Sequence, residues 1–160
     1  MSFPIEFPEL RTNRLTLRKI TANDIIPMIE IAGFKIQNPT EKDALDYIER
    51  VDQDFRHHIG ITWAMDFQGE MIGSIGYYRG FENRTGEIGY VMCESHKRRG
   101  FMSEAIVAAI NFGFDELSLK RITAYTEISN KASVNLLLKL GFNDTKKDHD
   151  KYRIFDIEPG

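Results

Sequence analysis

Residues 94–105 read Glu94-Ser95-His96-Lys97-Arg98-Arg99-Gly100-Phe101-Met102-Ser103-Glu104-Ala105. Before them, Thr85 to Met92 has the make-up of a strand. After them, Ala105, Ile106, Ala109, Ile110, Gly113 and Leu117 fall on one stripe at helical spacing. The stretch is therefore a strand, a short basic loop with one glycine, and an amphipathic helix predicted over Ser103 to Leu117. The first N–H groups of a helix lack internal partners and lie at the positive end of its dipole. Such a junction can grip a phosphate through main-chain donors. Lys97, Arg98 and Arg99 add charge, and Gly100 permits close approach of the backbone. The bland alternative is a solvated basic turn. Neither the Walker pattern nor the dinucleotide pattern fits, so charge and spacing leave both readings open.

Toward the N-terminus, Leu10 to Ile20 reads as a first strand, with Leu15 and Leu17 on one face and Thr16 and Arg18 on the other. Thr21 and Asp24 form a capping-box pattern for a helix. Pro27 must either sit in the first turn of that helix or kink it. Thr40 to Asp43 is a second capping box, followed by Ala44, Leu45, Ile48, Val51 and Phe55 at helical spacing. Ile61 to Phe67 and Met71 to Arg79 read as a hairpin, and Gly80 to Arg84 as a polar loop. Toward the C-terminus, Arg121 to Thr126 is a strand, and Asn130 to Leu140 a helix stopped by Gly141. Phe142 to Thr145 and Tyr152 to Ile157 are strands around a Lys146 to Lys151 turn. Helices scattered among strands predict α/β or α+β layering around a mixed sheet. With no repeat and no linker, residues 1–160 read as one domain.

The 160 residues carry 21 Lys and Arg against 24 Asp and Glu, a formal net charge of −3. That balance argues against a chain built to coat nucleic acid or an anionic membrane. Three of the cations gather in one loop, so the remainder is more acidic than the total suggests. The single cysteine, Cys93, excludes an internal disulfide and a multi-cysteine metal cluster, and fits a reducing compartment. Met1 to Glu6 has no basic region before an apolar run, and no apolar stretch approaches the roughly 18 residues of a membrane span. A cytoplasmic protein without a metal is expected.

Several segments together resemble a known family. Glu9 to Arg18 is similar to its opening strand, Gly86 to Met92 to its central strand, and Lys97 to Met102 to its pyrophosphate loop. Asn130-Lys131-Ala132-Ser133-Val134 through Lys139-Leu140-Gly141-Phe142 is similar to its last helix. This is the GNAT superfamily of N-acetyltransferases, and within it the branch of the ribosomal-protein N-terminal (serine/alanine) acetyltransferases. The resemblance implies a mixed, mostly antiparallel sheet flanked by about four helices, with two parallel central strands, 85–92 and 121–126, that splay apart. It implies acetyl-CoA as co-substrate and an amine acceptor, either a protein N-terminus or a small amine, with no nucleic acid, membrane or metal. Dimerisation stays open.

Carried over residue by residue, the resemblance places pantetheine on the Val91 and Met92 edge, where a main-chain N–H faces the acetyl oxygen. It places the pyrophosphate on Lys97, Arg98, Arg99, Gly100, Phe101, Met102 and Ser103. Glu87 becomes the general base, Asn130 and Ser133 lie by the pantetheine and the thiol, and Ser133 donates to the leaving sulfur. Each has a plainer alternative: Glu87 as a solvated or Arg84-paired carboxylate, Asn130 as a helix N-cap, Ser133 as a helix serine bonded to a carbonyl. The loop departs from the family's Gln/Arg-x-x-Gly-x-Gly/Ala, with Lys97 first and Met102 last, and no tyrosine follows Ser133 in its helix.

The remaining candidates point elsewhere. His57 and His58 are adjacent on a helix end and diverge. His96 is a loop residue near the phosphate, and His149 is solvated. Cys93 without a base partner reads as a small apolar residue. Trp63, Phe67 and Tyr77 read as sheet packing, with Trp63 or Tyr78 as possible walls of an acceptor pocket. Two other readings stay open. One is a small-molecule (polyamine or antibiotic) acetyltransferase whose acceptor side is Ala32 to Asn38 with Gly80 to Arg84. The other is a non-catalytic acyl-CoA-binding module.

Overall fold

The computed structural model describes residues 2–160; Met1, where the stretch read for a leader begins, lies outside them. The strands are β1 (Leu10–Arg11), β2 (Thr16–Lys19), β3 (Ile61–Phe67), β4 (Glu70–Tyr78), β5 (Thr85–Met92), β6 (Arg121–Glu127), β7 (Asn143–His149) and β8 (Tyr152–Ile157). The helices are α1 (Ile25–Ala32), α2 (Glu41–Arg56), α3 (Phe101–Asp115) and α4 (Lys131–Lys139). The strands form one sheet in the order β1-β2-β3-β4-β5-β6-β8-β7. Every neighbouring pair is antiparallel except β5 and β6, which run parallel.

Local chemistry accounts for most boundaries. At α2 the Thr40 hydroxyl accepts from Asp43 N–H at 3.2 Å, and the Asp43 carboxylate accepts from Thr40 N–H at 2.8 Å. Pro27 is the third residue of α1, where its missing N–H costs no intrahelical bond, so the helix is not broken there. The single first strand expected from alternation is two. Thr12 turns the chain by accepting from Leu15 N–H at 2.9 Å through its hydroxyl, and β1 folds back on β2. The final hairpin is longer than expected: β7 runs on through Lys146, Lys147 and Asp148, leaving Asp150 and Lys151 as the turn. Lys147 and Asp148 pair with Ile154 and Arg153 of β8, which overrides their weak strand propensity, while Lys146 (φ 61°) lies in the irregularity between Asp144 and Lys147.

The helices cover opposite faces of the sheet. Ile106 and Ala109 of α3 and Leu137 of α4 share a core with Trp63, Tyr77, Ile88 and Phe155. Met28 and Ile31 of α1 and Ala44 and Val51 of α2 share the other with Ala64, Met71 and Cys93. Gly113 sets how closely α3 lies on the sheet: a Cβ there would come within 2.4 Å of the Tyr77 hydroxyl, which donates to Ala109 O at 2.6 Å. Arg18 ties β2 to both β3 and the entry to α1, through bonds of 2.9 Å to Asp24 and 2.7 Å to Asp66. Among the described residues no helix is long and apolar enough to cross a membrane.

One feature of the ladder positions the site. β5 and β6 pair only from Thr85 with Arg121 to Ile88 with Ala124. Beyond that point Gly89 to Met92 stay with β4, and Tyr125 to Glu127 stay with β8. The two parallel strands therefore diverge and leave a cleft in the middle of the sheet, with strand edges as its walls.

Candidate active site

At one end of the cleft the chain leaves β5, makes a short turn at Glu94–His96 and passes through Arg98 (φ 63°) and Gly100 (φ 80°) before α3. Both residues hold left-handed backbone, which glycine adopts without strain. The helix begins at Phe101, two residues earlier than the apolar stripe predicts, with Gly100 as N-cap and no side chain capping it. Its first N–H groups are thus free for an anion. Arg98 and Arg99 are exposed beside them. Lys97 is also exposed, with Nζ 2.8 Å from a Glu94 carboxylate oxygen and 5.5 Å from the Phe34 ring centre.

Two loop side chains turn away from solvent. Phe101 is 1% exposed and belongs to the core, so it offers only its main chain. Met102, the departure from a small residue, packs partly buried against the same core. A fourth cation comes from the turn between β1 and β2. The Arg14 guanidinium stacks 4.1 Å over the Phe101 ring, and its Nε lies 3.5 Å from Glu104. Its Nη2 would be 3.3 Å from a Cβ at Gly100. The sequence gives no periodic signal for this placement, because only the β1–β2 turn brings Arg14 to the α3 N-terminus.

Along the cleft, alternation splits β5 between the two faces. Val91 packs with the α1/α2 core, and Ile88, Tyr90 and Met92 with the α3/α4 core. Glu87 shares the Val91 face. Its side chain is 20% exposed and ion-paired with Arg79, not with Arg84, which donates instead to Ser118 O at 2.8 Å. The reason is register: Glu87 lies opposite Tyr78, next to Arg79. Tyr78 packs across Gly89, where a Cβ would be 2.7 Å from its ring. Burial raises its phenol well above the ordinary range. Tyr78 thus floors the α1/α2 side of the cleft. Trp63 does not reach it: it is fully buried and donates to Pro8 O at 2.8 Å.

On the other face, the Tyr90 hydroxyl lies 2.7 Å from Ser133 Oγ. Burial raises the Tyr90 phenol above its ordinary value, offset in part by that bond. Ser133 N–H donates to Asn130 Oδ1 at 3.2 Å, so Asn130 is the N-cap of α4. No local pattern in the sequence marks Tyr90 for this site, because it stands 43 residues before Ser133 on the facing strand.

Cys93 is buried, and burial together with the Glu30 carboxylate pushes its thiol up to about 12, which suits packing and not attack. Glu30 also accepts from Glu94 N–H at 2.8 Å, so α1 touches the basic loop. His96 packs against Phe67 and Phe101, while His58 stacks on Phe3 at 4.6 Å. Among the described residues no group of three His, Cys, Asp or Glu side chains could hold a metal ion.

Residues 14–143 match the acetyltransferase (GNAT) domain. The uncharacterized N-acetyltransferase YoaA of Bacillus subtilis is 36% identical over 149 residues, 85% of this chain and 83% of its own. The ribosomal-protein-serine acetyltransferase of Escherichia coli is 36% identical over 75 residues, 46% of this chain and 41% of its own. The solved structure of RimL, a ribosomal L7/L12 alpha-N-protein acetyltransferase in complex with coenzyme A, shares the fold at a TM-score of 0.80. It is 13% identical, covering 94% of this chain and 98% of its own. On the matched domain and on YoaA, the chain belongs to the GNAT acetyltransferase family.

Proposed function

We propose that the protein is a cytoplasmic enzyme that transfers the acetyl group of acetyl-CoA to a primary amine, with a protein N-terminal amine, such as that of a ribosomal protein, as acceptor. The observation that carries it is the loss of pairing between β5 and β6 beyond Ile88 and Ala124, beside an uncapped α3 N-terminus with Arg14, Lys97, Arg98 and Arg99 around it. Those residues fit a nucleotide pyrophosphate. The open Gly89–Met92 edge fits a pantetheine chain that hydrogen-bonds as an added strand would. The ribosomal acceptor is supported by what the E. coli relative and RimL are named for.

The faces of β5 divide the chemistry. The amine approaches from the α1/α2 side and must be neutral to attack, so Glu87 takes its first proton. Glu87 and Val91 are four residues apart, about 13 Å along a strand, so the carboxylate acts through water. The nitrogen lone pair forms the C–N bond as the C–S bond breaks. Negative charge on the carbonyl oxygen is met by a main-chain N–H at Val91–Met92. Ser133 donates a hydrogen bond to the departing thiolate, and the second proton of the amine ends on that sulfur. The ion pair of Arg79 with Glu87 supports this reading, since a carboxylate that already accommodates a cation there could take an incoming ammonium in its place.

The test is release of coenzyme A thiol from acetyl-CoA against a panel of seryl and alanyl peptides, polyamines and aminoglycosides. Turnover with free peptide N-termini and none with N-blocked peptides supports the reading. Turnover confined to small amines selects the small-molecule acetyltransferase, and tight binding without turnover the acyl-CoA-binding module.

A further inference from the structure

We propose that Tyr90 is a positioning residue that aims the Ser133 hydroxyl at the leaving sulfur, an inference that rests on the acetyltransferase reading above. Tyr90 belongs to Gly89–Met92, the part of β5 that has lost its β6 neighbour, and its side chain reaches to the start of α4. Its hydroxyl and that of Ser133, 2.7 Å apart, share one hydrogen bond that can run in two directions. If Ser133 donates, its proton is committed to Tyr90 and is not available to the sulfur. If Tyr90 donates, the Ser133 proton is free for the sulfur.

The remaining freedom at Ser133 is that rotor. Its main chain is held by the bond from its N–H to Asn130 Oδ1. The Tyr90 hydroxyl has no other hydrogen-bond partner among the described residues. Charge developing on sulfur therefore selects the arrangement in which Tyr90 donates and Ser133 points into the cleft. A tyrosine phenol is protonated at neutral pH, and burial only strengthens this, so the donor is always present. The same burial makes the phenol a weaker acid than a free tyrosine, which suits orientation and not proton supply to a thiolate. The β5 strand thus serves both half-reactions: Glu87 on one face acts on the amine, Tyr90 on the other on the leaving group.

The experiment compares wild type, Tyr90→Phe, Ser133→Ala and the double variant. It measures melting temperature, acetyl-CoA affinity by calorimetry, and kcat and KM with hydroxylamine and with an N-terminal seryl peptide as acceptors. For Tyr90→Phe, kcat is expected to fall roughly tenfold, with acetyl-CoA affinity and KM held within about twofold and melting little changed. In the Ser133→Ala background, removing the phenol should cost nothing more. An unchanged kcat overturns the proposal, as does a full Tyr90→Phe loss that persists without Ser133. Joint collapse of melting and affinity makes the phenol structural and also overturns it. Wild type that fails to bind acetyl-CoA, or binds without transfer, overturns the acetyltransferase reading itself.

Discussion

Glu87 and Ser133 lie on opposite sides of one strand edge, and this decides what each can do. Glu87→Gln keeps the shape and removes the proposed base. The expected outcome is a fall in kcat of roughly a hundredfold, with acetyl-CoA affinity unchanged in calorimetry. Equal turnover at neutral and mildly acidic pH would remove Glu87 from the mechanism. The face of Glu87 was legible from period-2 alternation, because a strand leaves a side chain only two directions. Its partner was not, because Arg79 meets it through the β4–β5 register, which one strand's pattern does not contain. Away from the cleft, Arg18 and Asp24 form the most enclosed ion pair among the described residues, with side chains 23% and 6% exposed. Burial alone would raise the Asp24 carboxyl. The Arg18 guanidinium and the Thr21 N–H outweigh it and hold the group below its ordinary 3.8. Its contribution is therefore complete above pH 4 and is lost as pH falls through the lowered value. Asp24→Asn should cost about 2 kcal/mol at pH 7, a melting temperature lower by about 4–8 °C. Its stability should also decline less than wild type on acidification below pH 4, which thermal melts at several pH values would show.

At the scale of elements, the strand–loop–helix run from Thr85 to Asp115 carries the site, and it was the most legible part of the chain. The helix stripe, the basic run and the single glycine are all local signals. The early start of α3 was hidden because Phe101, in line with the stripe four residues before Ala105, directly follows Gly100 and reads as the end of the loop. The break between β1 and β2 was hidden because Thr12 turns the chain with a side-chain bond inside an alternating pattern. The length of β7 was hidden because it is a charged strand held by its partner. Gly100 carries the loop: at φ 80° any other residue is strained, and a side chain there meets Arg14. Gly100→Val is expected to cost about 1–2 kcal/mol in stability. It should weaken acetyl-CoA binding more than tenfold by tilting the N–H donors away from the phosphate, about 1.4 kcal/mol or more. Calorimetry beside a thermal melt separates the two, and undiminished affinity would detach the α3 N-terminus from cofactor binding.

At the scale of the whole molecule, a net charge of −3 conceals a small cationic site. Arg14 joins Lys97, Arg98 and Arg99 only in three dimensions, so composition understates the site and sequence proximity gives three of its four cations. A ligand seated there and along the open edge of β5 binds the folded chain alone. At one hundred times its dissociation constant, acetyl-CoA should stabilise the fold by about 2.7 kcal/mol, raising the melting temperature by about 5–10 °C. The central claim is that the divergence of β5 from β6 is an acetyl-CoA site. Calorimetric titration of the wild-type protein with acetyl-CoA at near-physiological salt tests it most directly. The account predicts saturable binding of one molecule per chain, weaker at higher salt and weakened by Arg98→Glu. The absence of saturable binding would contradict it.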